Sequence, residues 1–464
     1  MTPNLTVVIL AAGLGTRMKS QRAKVLHQAG GDTLLNHVIR AALHVAPAER
    51  IVVVVGHQAE EVRRSVTAPA IRFVEQKEQK GTGHAMLCAR ELAASADEHL
   101  LILNGDGPLL TAGTLKALLE AATAPGLCGA LVTTEVADPA GYGRIVRDHR
   151  GTIAAIVEQK AASPEQLRIR EINTGVYCFD ARLFWEHLGQ LTPDNPAREY
   201  YLTDMVEVLR RHGHRVAPLL IADETELLGI NTRVELAAAD KILRQRKTNE
   251  LMLSGVTIEY PDTVTIDVDV EIGQDSLVES NVQLRGRTRI GANCRIGTGS
   301  VLRDCVVGDR VTVLPYVVAE SSSVGAQASV GPFARLRMNA EAAEQTHIGN
   351  FVELKKTKLG AGAKASHLAY LGDATIGPET NIGAGTITCN FDGRKKHQTH
   401  IGEKVFVGSN STLVAPLEIA DGAYIAAGSV ITKNVEPDAL AIGRAYQVDK
   451  PGWARRRRNS QETR

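Results

Sequence analysis

Residues 271–302 read EIGQDSLVESNVQLRGRTRIGANCRIGTGSVL. Ile272, Val278, Leu284, Ile290, Ile296 and Leu302 stand six apart, and four places after each comes Ser276, Val282, Thr288, Cys294, Ser300 or Val306, all small. A strict six-residue register with a small residue at the fifth place is the mark of a parallel β-helix. Each hexad supplies one flat face of a triangular coil. The aliphatic residue fills the interior and the small one lets the corner close. Three hexads make one coil of about 18 residues, stacked on the next at about 4.8 Å, the ordinary strand separation.

The pattern recurs downstream. Val324, Val330, Leu336, Ala342, Ile348 and Leu354 keep it in a shifted frame, and Ile401, Val407, Leu413, Ile419, Ile425 and Ile431 keep it again. The frame breaks between Ile387 and Ile401, so CNFDGRKKHQTH (389–400) is expected to loop out of the helix. A loop of that kind beside an outer-face site suggests that a neighbouring subunit completes the site.

Upstream the period changes. TVVIL (6–10) and RIVVVVG (50–56) are continuously apolar, as buried parallel strands are, and HLLILNGD (99–106) is a third strand ending in a turn. Leu34, Leu35, Val38, Ile39, Ala42 and Leu43 recur at helical spacing after Asp32, taken as the N-cap. Strand, helix, strand in this order means an α/β domain with a mostly parallel sheet. Its ligands bind beyond the carboxyl ends of the strands. Between the halves, Thr232 to Ser254 reads as one connecting helix that opens with a TRVE capping box (232–235) and ends at Gly255.

The 464 residues allow two or three domains, and a net charge of +1 gives no global pull towards nucleic acid or an acidic membrane. Arg455 to Arg458 read as a solvated, disordered tail. The six cysteines show no CxxC spacing, so reduced, buried thiols of a cytoplasmic protein are expected. No apolar run has the length of a membrane span or the flanks of a signal peptide.

LAAGLGTRM (10–18) carries Gly13 and Gly15 at the spacing of a dinucleotide fingerprint, but Met18 stands where its third glycine belongs and Arg17 sits in the loop. Taken alone, such a turn is as readily a tight strand-to-helix connection. Glycines let backbone N–H groups approach a phosphate, and Arg17 and Lys24 can neutralise a triphosphate. Asp106 can offer Mg²⁺ a hard carboxylate oxygen. A second loop, KGTGHA (80–85), opens a helix; His84 within it is read as packing. In the other half Arg337 and Lys355 are 18 residues apart, so whole coils would stack one cation on the other. Unless they are merely solvated surface charges, an anion should sit between them. His367 falls two places after the interior residue Ala365 and should point outward.

The α/β half resembles the sugar-nucleotide pyrophosphorylases, whose opening loop is a glycine turn with GTRM followed by a lysine. GYGRIV, EINTGVY, EYYLTD, GPFARLR, GNFVELKK, SHLAYLGD, NIGAGTITCNFDG and FVGSNSTLVAP then follow in order over nearly the whole chain. That set resembles the bacterial family of bifunctional N-acetylglucosamine-1-phosphate uridyltransferase/glucosamine-1-phosphate acetyltransferases. The resemblance implies a Rossmann-like nucleotidyltransferase domain (1–230), a linker helix (231–255) and a left-handed parallel β-helix of hexapeptide repeats (256–464). It implies a cytoplasmic homotrimer acting on small molecules, with a product that feeds cell-wall synthesis.

By that resemblance UTP lies on Leu10, Ala11, Ala12, Gly13, Arg17 and Lys24, with Gln76, Gly81 and Thr82 on the uracil. Gly143, Glu158 and Asn173 would hold N-acetylglucosamine 1-phosphate, and Asp106 and Asn231 the Mg²⁺. His367 would be the general base of acetyl transfer, for which an imidazole of ordinary pKa near 6.5 is suited. Arg337, Lys355, Tyr370, Asn381 and Asn390 would bind glucosamine 1-phosphate, and Ala384, Ser409, Ala427 and Arg444 acetyl-CoA. Departures from the family pattern are Leu14 for a loop lysine, Ala23 for a proline, Asn104 and Gly107 near Asp106, and Phe391 for a tyrosine. Two other readings remain open: a pyrophosphorylase whose β-helix only oligomerises, and a scaffold that has kept both folds and lost the chemistry.

Overall fold

The computed structural model describes residues 4–94, 99–149, 151–227 and 229–462. The chain divides into two compact units, Met1–Gln245 and Arg246–Arg464, with the division inside the helix Arg233–Leu253.

In the first unit the apolar runs become the centre of a nine-stranded mixed sheet. Its order is Val216–Leu220, Gly129–Glu135, Glu171–Asp180, His99–Asn104, Leu5–Ala11, Ile51–Val55, Arg72–Glu75. Arg144–Arg147 and Ile153–Val157 hang off Glu171–Asp180 as a side ribbon. Leu5–Ala11 runs parallel to both His99–Asn104 and Ile51–Val55, as the sequence suggests. The sheet is less parallel than expected, because Glu171–Asp180 inserts antiparallel between two other strands. Burial on both faces explains the unbroken apolar runs: Val7, Ile9 and Val53 pack into one core and Val8, Val52 and Val54 into another.

The helix Leu34–Leu43 forms as its spacing predicts, but Thr33 caps it, its side chain accepting from the Asn36 N–H. Asp32 instead accepts from the Thr33 N–H, from Asn36 and from Arg40. Leu43 ends on the exposed side of the last turn. The capping box of the long helix is present: Glu235 N–H donates to Thr232 Oγ1 at 3.2 Å and Thr232 N–H donates to Glu235 Oε2 at 2.8 Å.

The second unit is a three-sided coil of short parallel strands in sheets of 11, 10 and 9 members. The eighteen aliphatic or small residues of the three register runs are buried along its axis. The corner residues are small because the coil folds back there, and their polar atoms serve the backbone. Ser276 Oγ, for example, donates to the Gly291 carbonyl at 2.9 Å and accepts from the Cys294 N–H at 3.0 Å.

Coil length is not constant. Leu284 stacks on Leu302, 18 residues on, but Ile290 stacks on Val307, 17 on. One corner residue is missing there, so Cys305 closes the corner and Val306 turns outward at 56% exposure. The interior residue before the excursion is Thr388, and Ile387 is 46% exposed. Thr388 stacks on Leu413, 25 residues later, which confirms that the intervening chain leaves the coil. Trp453–Glu462 is a helix, exposed over residues 453–459, rather than a disordered tail. All six cysteines are unpaired, four of them buried and Cys88 and Cys389 half-buried. No described helix is long and apolar enough to cross a membrane.

Candidate active sites

The first site gathers at the carboxyl ends of Leu5–Ala11 and His99–Asn104. The glycine turn leaves the first strand, and Gly15 there has φ +61, with a Cβ only 2.6 Å from that of Lys24 if it had one. Only glycine permits both that backbone and that approach. Lys24 is thereby set against Asp106 in a close ion pair, and its ammonium also reaches Asn231 Oδ1 at 3.1 Å. Arg17 donates to the same Oδ1 at 2.8 Å. Asn231 is held in turn: its N–H donates to Glu235 Oε2 at 2.6 Å and its amide to the Gly229 carbonyl at 3.1 Å. Asp106 and Asn231 therefore present hard oxygens to one point, where the Lys24 ammonium lies. That donor set suits Mg²⁺, which takes few protein ligands when phosphates supply the rest.

The KGTGHA loop is stitched to EYYLTD. Gly81 has φ +100, Gly83 N–H donates to the Tyr200 carbonyl at 2.7 Å, and Leu202 N–H donates to Thr82 Oγ1 at 3.0 Å. Gln76 is buried and donates to the Gly81 carbonyl at 3.0 Å. Gly143, Glu158 and Asn173 also converge. Asn173 N–H donates to the Gly143 carbonyl at 2.9 Å, and the Glu158 carboxylate lies beside Gly143 and accepts from Thr203. Burial raises the Glu158 carboxyl above the ordinary range, helped by Asp204 and Glu199. Tyr142 was not singled out by sequence; burial and the nearby charges of Glu235 and Asp106 raise its hydroxyl, which places it in this cleft. Of the departures, Ala23 has a local reason, since its N–H donates to Gln58 Oε1 at 2.6 Å and a proline has none to give. Asn104 donates to the Thr174 carbonyl at 3.3 Å. Leu14 is exposed. The Leu10 carbonyl accepts from the Gly105 N–H at 2.9 Å.

The second site is spread along one face of the coil. His367 follows its interior residue by two places, and so do Asn350, Ala384, Ser409 and Ala427 after Ile348, Ile382, Val407 and Ile425. These five make one file of successive rungs along a corner. Arg444 approaches its far end beside Gly428. Asn350 Oδ1 accepts from His367 Nδ1 at 2.7 Å. An amide oxygen only accepts, so Nδ1 carries the hydrogen and Nε2 is the basic nitrogen of the neutral ring.

Arg337 and Lys355 are in register as expected, but each has its own carboxylate, which the sequence reading missed. Arg337 donates to Glu353 at 2.6 Å and Lys355 to Asp373 at 2.6 Å. The side chains of Lys355 and Asp373 are each 3% exposed. Burial alone would raise the Asp373 carboxyl, but hydrogen bonds from Lys355 and Asn390 and the charge of Lys355 outweigh it and hold it low. Lys355 is raised in turn, its burial outweighed by Asp373. Asn390 donates to Asp373 at 2.5 Å, and the Tyr370 hydroxyl and the Asn390 amide both crowd the bare face of Gly372. Asn381 lies in register with Lys364, on the strand of the sheet that also carries His367.

Lys396, from the excursion, is a third cation that sequence reasoning passed over. Its ammonium is pushed down by contact with Lys355 and by the charges of Lys355 and Arg337. The excursion is ordered by Asp392, which accepts from the N–H groups of Arg394 and Lys395 and from His397. His367 closes the strand Lys364–His367, and Lys355 closes the earlier strand Glu353–Lys355, which belongs to a different sheet of the coil.

Comparison with known proteins agrees with both halves. Residues 7–201 match the MobA-like NTP transferase domain, and residues 269–304 and 398–433 match the bacterial transferase hexapeptide of six repeats, the left-handed β-helix. The chain is 58% identical over 463 residues to the bifunctional protein GlmU of Solibacter usitatus (strain Ellin6076), covering 100% of this chain and 99% of that one. It is 48% identical to GlmU of Koribacter versatilis (strain Ellin345), again over 100% and 99%. It is 45% identical to GlmU of Streptococcus agalactiae serotype V, over 97% of both chains. Two complete folds, each carrying its own cluster of charged and polar groups, and matches that run end to end have one meaning: the chain belongs to the GlmU family of bifunctional transferases.

Proposed function

We propose that this enzyme makes UDP-N-acetylglucosamine in two steps, acetylating glucosamine 1-phosphate in the second unit and uridylylating the product in the first. The observation that carries the reading is the Asn350–His367 pair, which leaves Nε2 as the basic nitrogen in the file that Ala384, Ser409 and Ala427 continue. Acetyl-CoA laid along that file brings its thioester to His367. The sugar amine attacks the thioester carbonyl, Nε2 takes the amine proton, and the C–S bond breaks to release CoA. Arg337, Lys355 and Lys396 supply the charge for the sugar phosphate, with Tyr370, Asn381 and Asn390 on the sugar.

In the first unit, a phosphate oxygen of N-acetylglucosamine 1-phosphate attacks the α-phosphorus of UTP and pyrophosphate leaves. Arg17 and Lys24 offset the triphosphate charge, and catalysis is positioning and electrostatic. Nucleotidyltransferases of this family use a divalent metal. We assign Mg²⁺, held by Asp106 and Asn231, which when bound would neutralise phosphate charge.

We further propose a cytoplasmic homotrimer whose subunits join along the coil, with residues 231–255 as the connector to the first domain. Tyr316, Phe333 and Phe351 support this: they stand exposed in an aromatic stack with centroids 5.3 and 5.4 Å apart, a surface suited to burial by another copy. Incubation with glucosamine 1-phosphate, acetyl-CoA, UTP and Mg²⁺ should release both CoA and pyrophosphate. Release of pyrophosphate only when N-acetylglucosamine 1-phosphate is supplied, with no CoA at any time, would reduce the second unit to a scaffold.

A further inference from the structure

The sequence reading set His84 aside as packing, yet the structure gives its ring a defined task beside Gln76. The Gly81 carbonyl can only accept, so the amide end at 3.0 Å from it is Nε2 of Gln76. The second hydrogen on that nitrogen points to His84 Nδ1 at 3.0 Å. Nδ1 must therefore be bare, and the ring proton sits on Nε2, facing Cys88 Sγ at 3.9 Å. Both amide hydrogens of this buried glutamine are spent, and no hydrogen bond within the described residues takes its Oε1.

We propose that His84 is a positioning residue for base choice: it fixes the Gln76 amide so that only an acceptor faces the nucleotide base, and it does so only while its Nδ1 is unprotonated. The inference rests on the reading that Gln76, Gly81 and Thr82 hold the base. Uracil offers a donor at N3–H, whereas N3 of cytosine is an acceptor. An outward Oε1 pairs with the first and opposes the second. When the imidazolium forms, Nδ1–H confronts the Gln76 NH₂, donor against donor. The amide must then turn its oxygen to the ring, give up the Gly81 carbonyl and show the base its NH₂. That arrangement favours cytosine.

Other titratable groups stand around the ring. Cys88 lies one turn along the same helix and its thiol is pushed up by burial. The Tyr200 ring packs with its centroid 6.4 Å away. On the loop, Glu78 is held low by its ion pair with Lys80, which is raised by the same contact.

The test is kcat/KM for pyrophosphate release with UTP and with CTP from pH 5.5 to 8, for wild type, His84→Ala, His84→Asn and Gln76→Ala. Titration of the nucleotide and sugar phosphates affects both substrates alike and cancels in the UTP/CTP ratio. Circular dichroism and thermal melting of the first unit, Met1–Gln245, confirm that each variant is folded. The wild-type ratio should fall about tenfold or more between pH 8 and pH 5.5, the scale of one mispaired buried hydrogen bond. His84→Ala should show a low ratio without pH dependence. His84→Asn, whose amide oxygen can accept without titrating, should restore a high ratio, equally flat. A Gln76→Ala ratio equal to wild type would overturn the placement of the base itself. A collapsed Gln76→Ala ratio, with wild type and His84→Ala both high and flat, would leave the base in place and overturn the role of His84.

Discussion

Asp373→Ala isolates what holds the phosphate end of the second site. The substitution removes the carboxylate that lies 2.6 Å from the Lys355 ammonium and also accepts from Asn390. The lysine side chain, 3% exposed, is left as an uncompensated buried charge. Breaking such a pair from one side costs about 3–5 kcal/mol. Some of that is recovered when the lysine discharges or reaches water, so about 3 kcal/mol is the expected loss. For a unit of this size, about 2–4 °C accompanies each kcal/mol, which predicts a fall of roughly 6–12 °C in the melting of the coil at fixed protein concentration. Removing the orphaned charge as well, in Asp373→Ala with Lys355→Met, should recover most of it. Phosphate should stabilise Asp373→Ala more than wild type, because it replaces the missing anion. The pH dependence has a definite sign. The Asp373 carboxyl is lowered in the folded protein, so its contribution is complete above the ordinary carboxylate pKa near 3.9 and is lost as pH falls through its lower folded value. Lys355 is raised, so its share is complete below about pH 10.4 and is lost at higher pH. Calorimetry of the three proteins decides the matter: a loss under about 1 kcal/mol for Asp373→Ala, or a double variant no better than the single, would refute the buried-pair reasoning.

Three further outcomes are expected. His367→Ala should slow CoA release by about 10²- to 10⁴-fold with little change in KM, and the wild-type rate should fall in acid, where a protonated ring can no longer accept the amine proton. A variant with near-full activity and the same acid limb would make His367 a surface residue only. Asp106→Ala should abolish pyrophosphate release and spare CoA release; loss of both in a folded protein would contradict the assignment of one activity to each unit. The fragment Arg246–Arg464 should form a trimer by light scattering, and a monomer that keeps its β-sheet circular dichroism would sink that proposal.

The coil was legible in the sequence because its interior admits one residue per face, and Ile272 to Leu302 show this without interruption. The 17-residue turns were not, since a corner absorbs a missing residue while the interior stays filled; Val306 and Ile387 were misplaced for that reason. Thr33 took the cap from Asp32 because either side chain can bond the helix N-terminus and sequence does not say which dihedrals the strand before it will adopt. In the sites, His367, Lys355 and the Asp106–Asn231 pair could be found from motif and spacing. Their partners could not. Asp373 and Glu353 lie one coil away, and Lys396 reaches Lys355 only because the excursion folds back, which no periodicity records. Asn350 follows from register alone, once the 17-residue step from Asn350 to His367 is known.

The file that runs through Asn350, His367, Ala384, Ser409 and Ala427 turns the coil into a ruler. Each rung advances a side chain by one strand spacing whatever the number of residues between, whether 17, 18 or the 25 that include the excursion. From His367 to Ala427 is three rungs, about 14 Å of straight track. A long, thin donor is measured against that track and not enclosed by a pocket. Sequence can therefore swell or shrink at the corners without moving the marks, and only the gain or loss of a whole coil would change the length being measured.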